Sequence, residues 1–145
     1  MTIIKKKGKW QFGYKDTYSL DSSLGPIIHA GLKKFHDVLE SRSNLGKTIG
    51  IPSEYMRNEA EWITDNDVQD WLNDLKKMMY AFYDKEPDIR DYNFKMRINP
   101  GDRSPQIICT NEEEAARYKE AAQLHQEKVQ EGLALFALRY KDLWW

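Results

Sequence analysis

The stretch from Asn111 to Lys141 constrains this 145-residue chain more than any other. Tyr118, Ala122, His125, Val129, Leu133, Phe136 and Tyr140 fall there at successive three- and four-residue steps, the spacing of one face of an α-helix. Such a helix extends about 46 Å. A compact globule of this chain length has a radius of gyration of roughly 15 Å, hence a diameter of about 40 Å. The helix must therefore cross the domain, project from it or break. Gly132 is the candidate break, because glycine in a helix interior costs about 1 kcal/mol relative to alanine. Two readings of that glycine compete: close packing against another helix, which is favoured, and a kink that ends the core helix and starts a partner-binding segment.

Two further helices precede it. The first starts after Asp21, Ser22 or Ser23, each a good N-cap, with Pro26 in its first turn, and buries Ile28, Leu32, Phe35 and Leu39. Ser41 to Gly50, rich in Ser, Asn and Gly, reads as a loop, followed by a short helix from Ser53 to Trp62. Thr64 with Asp67 three residues on forms a capping box for the second helix, with Asp in place of Glu or Gln. Val68, Leu72, Leu75 and Met79 make its apolar row, Trp71, Met78 and Phe82 widen it, and Pro87 follows its end.

The period then changes. Tyr92, Phe94, Met96 and Ile98 alternate with Asn93, Lys95 and Arg97, the pattern of a strand. Asn99-Pro100-Gly101-Asp102 supplies turn chemistry, and Gln106 to Thr110 can return as the partner strand. Thr110 with Glu113 offers a second capping box. Trp10, Phe12 and Tyr14 alternate near the start, which permits a short strand. The expected fold is mainly α: a helical bundle of three principal helices with a small β-hairpin insertion. It forms one domain over residues 1–145, with 1–17 as an extended arm and 88–110 as the insertion.

Composition narrows the classes. The chain is 41% apolar and 31% charged with a formal charge of −1, which removes the argument for a strongly basic nucleic-acid binder. Cys109 is the single cysteine, so no intramolecular disulfide or cysteine-rich zinc site can form, and a reducing cytoplasm fits. No apolar run approaches a membrane span, and no apolar segment follows the first lysines as a secretion signal requires.

Three segments carry a resemblance: Tyr18 to Phe35, Trp71 to Phe82, and Glu131 to Trp144. They resemble a family of small phage-encoded proteins of unassigned activity. The matching positions are mostly aromatic, glycine and aliphatic and cover well under half of the chain. The resemblance implies a shared helical core and a phage setting, with no catalytic residues or cofactor to carry over.

Candidate chemistry is sparse. Gly46-Lys47-Thr48 lacks the earlier glycine of a phosphate-binding loop, since Ser41 stands there. His29, Lys33, His36 and Glu40 share a helical face. Two histidines seven residues apart, without a carboxylate pair in ligand spacing, favour a solvated face over a metal site. His125, inside the apolar stripe, reads as a hydrogen-bonded core histidine or as a polar group at a pocket or interface. Lys5, Lys6, Lys7, Trp10, Arg42 and Lys47 can meet phosphates and bases. His125, Phe136, Tyr140, Trp144 and Trp145 are the candidates for a subunit interface, where tryptophan and tyrosine dominate binding.

Two functions from different classes follow. The first is a phage accessory binding protein, homo-oligomeric and cytoplasmic, that counters host defence by sequestering a small nucleotide signal or blocking a host defence protein. The alternative is a virion structural or assembly protein. A small enzyme using His29 or His36 as acid or base is a third reading.

Overall fold

The computed structural model describes residues 4–11, 13–14, 20–44, 50–56, 64–83, 86–92, 94–97, 101, 106–109 and 111–143. The fold is mainly α, with three helices: α1 (Leu20–Asn44), α2 (Asp65–Phe82) and α3 (Glu112–Arg139). Four short strands accompany them, β1 (Ile4–Lys6), β2 (Lys9–Gln11), β3 (Phe94–Arg97) and β4 (Gln106–Cys109), paired as two antiparallel hairpins. The chain divides into two compact units, residues 1–84 with 129–145, and residues 85–128. No described helix is long and apolar enough to cross a membrane.

In the first unit α1 lies against α2. Leu32, Phe35 and Leu39 of α1, Tyr55, and Val68, Trp71, Leu72, Leu75 and Met78 of α2 form the buried core. Trp71 is its centre, fully buried, with Phe35 edge-on at 6.5 Å and Tyr55 tilted against it at 5.0 Å between ring centroids. The spacings expected for both helices match these faces. The Thr64 box forms as expected: the Asp67 N–H donates to Thr64 Oγ1 at 3.3 Å, and the Thr64 N–H donates to Asp67 Oδ2 at 2.9 Å.

The helix ends differ from expectation. Helix α1 begins at Leu20, so Pro26 lies in its second turn, where it removes a backbone donor. Leu24 and Ile28, one turn apart, are both half-buried, so the packed face extends back past the proline and holds it. Ser41 to Asn44 continue α1 instead of forming loop. Of the segment Ser53 to Trp62, Ser53–Tyr55 is a single 3-10 turn, and residues 57–63 lie outside the described ones.

Helix α3 is continuous through Gly132, which is buried. A Cβ on Gly132 would overlap the Lys77 carbonyl oxygen and sit 2.7 Å from Ala81 Cβ. The glycine is therefore where α3 approaches the α2 backbone, the packing alternative raised above. This contact also sets the phase of the helix. Val129, Gly132, Phe136, Arg139 and Leu143 turn inward, whereas Leu133 and Tyr140, expected in the stripe, are 38% and 65% exposed.

The N-terminal arm is a hairpin over residues 4–11. Lys7 and Gly8, its two turn residues, have φ of 50° and 78°. Positive φ at both positions is the backbone of a two-residue turn that matches strand twist. The second unit holds the other hairpin, the one expected, and its register sets Phe94 opposite Cys109 and Arg97 opposite Gln106. It also holds the first turns of α3, where Arg117 and Tyr118 both meet the Tyr92 ring, at 5.6 and 5.3 Å. Thr110 is outside the described residues. Asn111 caps α3, its Oδ1 accepting from the Glu113 N–H at 3.0 Å.

Candidate functional site

Four of the six candidate ligand-contacting residues fall on one short element. Strand pairing sets Lys5 opposite Trp10 and Lys6 opposite Lys9, with Lys7 in the turn. Cross-strand partners share a face, so Lys5 and Trp10 lie on one side of the hairpin and Lys6 and Lys9 on the other. The Lys5 ammonium stands 5.5 Å from the centre of the Trp10 ring, a cation–π distance. Trp10 is nevertheless 64% exposed, and Lys5, Lys6, Lys7 and Lys9 are all exposed. Like charges directly opposite across a ladder repel. Among the described residues no carboxylate offsets the Lys6–Lys9 pair. Arg42 is half-buried in the last turn of α1, and Lys47 lies outside the described residues.

A second polar group gathers around Tyr55, which sequence reasoning missed. The 3-10 turn carries Tyr55 onto α2, where its hydroxyl donates to Asp74 Oδ2 at 2.6 Å. Burial and this bond push the phenol well above the usual tyrosine range. Lys77, one turn along α2, approaches Asp74 at 3.7 Å and pairs with Glu131 of α3 at 2.9 Å. From the end of α3 the Arg139 guanidinium covers the other side of the Tyr55 ring at 5.0 Å and meets Glu54 and Asp142 at 3.4 and 3.6 Å. An open recess of about 540 Å³ adjoins these groups, lined by Tyr55, Asp70, Asn73, Asp74, Lys76 and Lys77. Opposite charges face each other throughout, and the phenol is a poor acid. The arrangement therefore acts as a latch among the 3-10 turn, α2 and the end of α3.

The face of α1 is not uniformly solvated as expected. His36 is only 6% exposed, while Lys33 and Glu40 are exposed and His29 is half-buried against the Tyr83 ring at 5.3 Å. His36 is flanked in space by Leu32, Phe35 and Leu39, one turn or less away on the same helix, and these draw it into the core. The Lys33 ammonium bonds Asp37 at 2.8 Å and holds its carboxyl below the usual range.

Of the interface candidates, Phe136 packs edge-on against Phe82 at 4.8 Å and Tyr140 at 5.6 Å, so it serves the chain's own core. His125 is half-buried, Tyr140 is exposed, and Trp144 and Trp145 lie outside the described residues. Comparison with known proteins returned no matching family model, curated protein or solved structure.

Proposed function

We propose that this chain is a phage accessory binding protein that acts without turnover in the host cytoplasm. It sequesters a nucleotide signal of host defence, or blocks a host defence protein, and the β1–β2 hairpin makes the contact. The observation that carries the reading is the hairpin's unbalanced charge beside an exposed aromatic ring: Lys5 stands over the exposed Trp10 on one face, and Lys6 opposes Lys9 on the other. A ligand with a π-face and phosphates would stack on Trp10 and meet Lys5 on the same face, drawn there by the positive charge of the whole hairpin. The phage setting rests on the resemblance of the helical segments.

The test is thermal unfolding of the full chain with cyclic and ADP-ribose-derived nucleotides. A ligand present at about 100 times its dissociation constant adds about 2.7 kcal/mol of stability. Trp10→Ala and Lys5→Ala, both at exposed positions, should abolish that gain and leave the unliganded melting temperature unchanged. No shift with any nucleotide, or a shift that both variants retain, would defeat the nucleotide reading.

The alternative, a virion structural or assembly component, draws support from apolar surface on the last turns of α3 and the 3-10 turn Tyr140–Asp142 that follows. Leu133, Leu138 and Tyr140 are 38%, 67% and 65% exposed there. A homo-oligomer would cover them, and light scattering of wild type and Leu138→Glu decides the matter: a monomer in both removes this support.

A further inference from the structure

We propose that His36, Asp37 and Glu40 of α1 bind a divalent ion of the zinc class. Their ligand atoms lie within 4.8 Å of one another. His36 Nδ1 stands 3.5 Å from Asp37 Oδ1 and 3.9 Å from Glu40 Oε2. These separations exceed the roughly 2.7–3.2 Å of an N–H···O hydrogen bond. They match two ligands sharing one ion: metal–ligand bonds of about 2.0–2.2 Å at a tetrahedral angle place ligand atoms about 3.3–3.6 Å apart. The Glu40 carboxylate, exposed and on a flexible side chain, has to swing inward to close the third vertex.

The histidine supplies the independent observation. It is more than nine-tenths buried and turns Nδ1 toward the two carboxylates, its Nε2 lying on the ring's other side without a hydrogen-bond partner among the described residues. A ring buried this far is ordinarily held by hydrogen bonds; here packing holds it, with Nδ1 directed toward two carboxylates. Asp37 is oriented in turn, because Lys33 engages its Oδ2 at 2.8 Å and leaves Oδ1 toward the ring. Such an outer contact fixes a metal-binding carboxylate. One imidazole and two carboxylates neutralise a divalent charge. The nitrogen ligand selects zinc, cobalt, nickel or copper over magnesium and calcium. The Asp37 and Glu40 side chains are 48% and 54% exposed, so the ion would keep a side open to water.

This proposal is independent of the hairpin reading. Its test is titration of the full chain with Zn²⁺ by calorimetry and with Co²⁺ by visible absorption, with Mg²⁺ as the comparison. We expect one ion per chain at micromolar concentration, a change in the His36 ring nitrogen resonances on addition of Zn²⁺, and no Mg²⁺ binding in that range. Because His36→Ala can unfold the core, the decisive variants are Asp37→Asn and Glu40→Gln, each of which should weaken binding at least tenfold without altering the metal-free fold. Absence of saturable Zn²⁺ or Co²⁺ binding up to millimolar concentration would overturn the proposal. Equal affinity in both variants and wild type would overturn it too.

Discussion

Replacing Gly132 by alanine sets two effects against each other. Alanine favours the helical backbone by about 1 kcal/mol. Its Cβ, however, would overlap the Lys77 carbonyl oxygen and approach Ala81 Cβ to 2.7 Å. Neither neighbour can rotate away, since one is backbone and the other is itself a Cβ, so the two helices must separate. A gap of 0.5–1 Å forfeits roughly a quarter to a half of each dispersion contact, and the Phe82–Phe136 pair, with ring centroids 4.8 Å apart, bears that loss directly. Overpacking of this kind costs about 1–3 kcal/mol, and an unyielding contact belongs at the upper end. The net expectation is destabilisation by about 2 kcal/mol, read as a lower urea midpoint at unchanged slope. Gly31→Ala is the control, because its Cβ would meet nothing within 4 Å on an exposed position of α1. That change should stabilise by up to about 1 kcal/mol. If Gly132→Ala proves as stable as wild type, α3 does not pack on α2 through this glycine and the argument fails.

Two further outcomes follow from local geometry. Thr64→Ala removes the cap of α2 and a 2.7 Å hydroxyl bond to the buried Asp67 carboxylate, and should lower stability by about 1–2 kcal/mol in chemical denaturation. The raised pKa of Tyr55 has an alkaline signature. The folded state keeps the phenol protonated after the unfolded chain has begun to lose its proton, so its contribution is intact below pH ~10 and is lost as pH rises toward the folded value. The stability difference between wild type and Tyr55→Phe should shrink above pH ~10, by up to about 1.4 kcal/mol per unit. A difference that stays constant to pH ~11 contradicts the bond to Asp74.

How much could be read beforehand depends on the range of the interaction. The faces of α1 and α2 were legible because burial there is carried by large apolar residues, Leu32, Phe35, Leu39, Val68, Leu72 and Leu75, whose spacing repeats the helical period. Thr64 and Asp67 were legible because a cap is complete within four residues. The phase of α3 was misjudged where a buried position carries no apolar signal: Gly132 faces α2, while Leu133 beside it advertises a buried face and is partly exposed. A short strand near Trp10 was legible, but its pairing with residues 4–6 was not, because a lysine occupies a left-handed turn position where asparagine or glycine is usual.

The polar groups follow the same division, which bears on what they do. Tyr55 meets Asp74 across nineteen residues, and Lys77 meets Glu131 across a longer span. A chain with 22 basic and 23 acidic residues offers too many such pairs for any one to be legible in advance. Those tertiary pairs satisfy one another and act on stability. Two arrangements are local in sequence instead, Lys6 against Lys9 on the hairpin and His36 beside Asp37 and Glu40 on α1, while in the core Trp71 Nε1 and Arg139 Nε also lack a hydrogen-bond partner among the described residues. In each of the two local arrangements, neighbouring side chains hold a charge or lone pair that nothing else described in the fold completes. The two proposed sites stand on different elements, the β1–β2 hairpin and α1. Metal titration and nucleotide titration should therefore respond to separate variants: Trp10→Ala should leave Zn²⁺ affinity unchanged, and Glu40→Gln should leave the nucleotide-dependent gain in melting temperature unchanged. A substitution at one position that abolished both responses would mean that the two arrangements form one site.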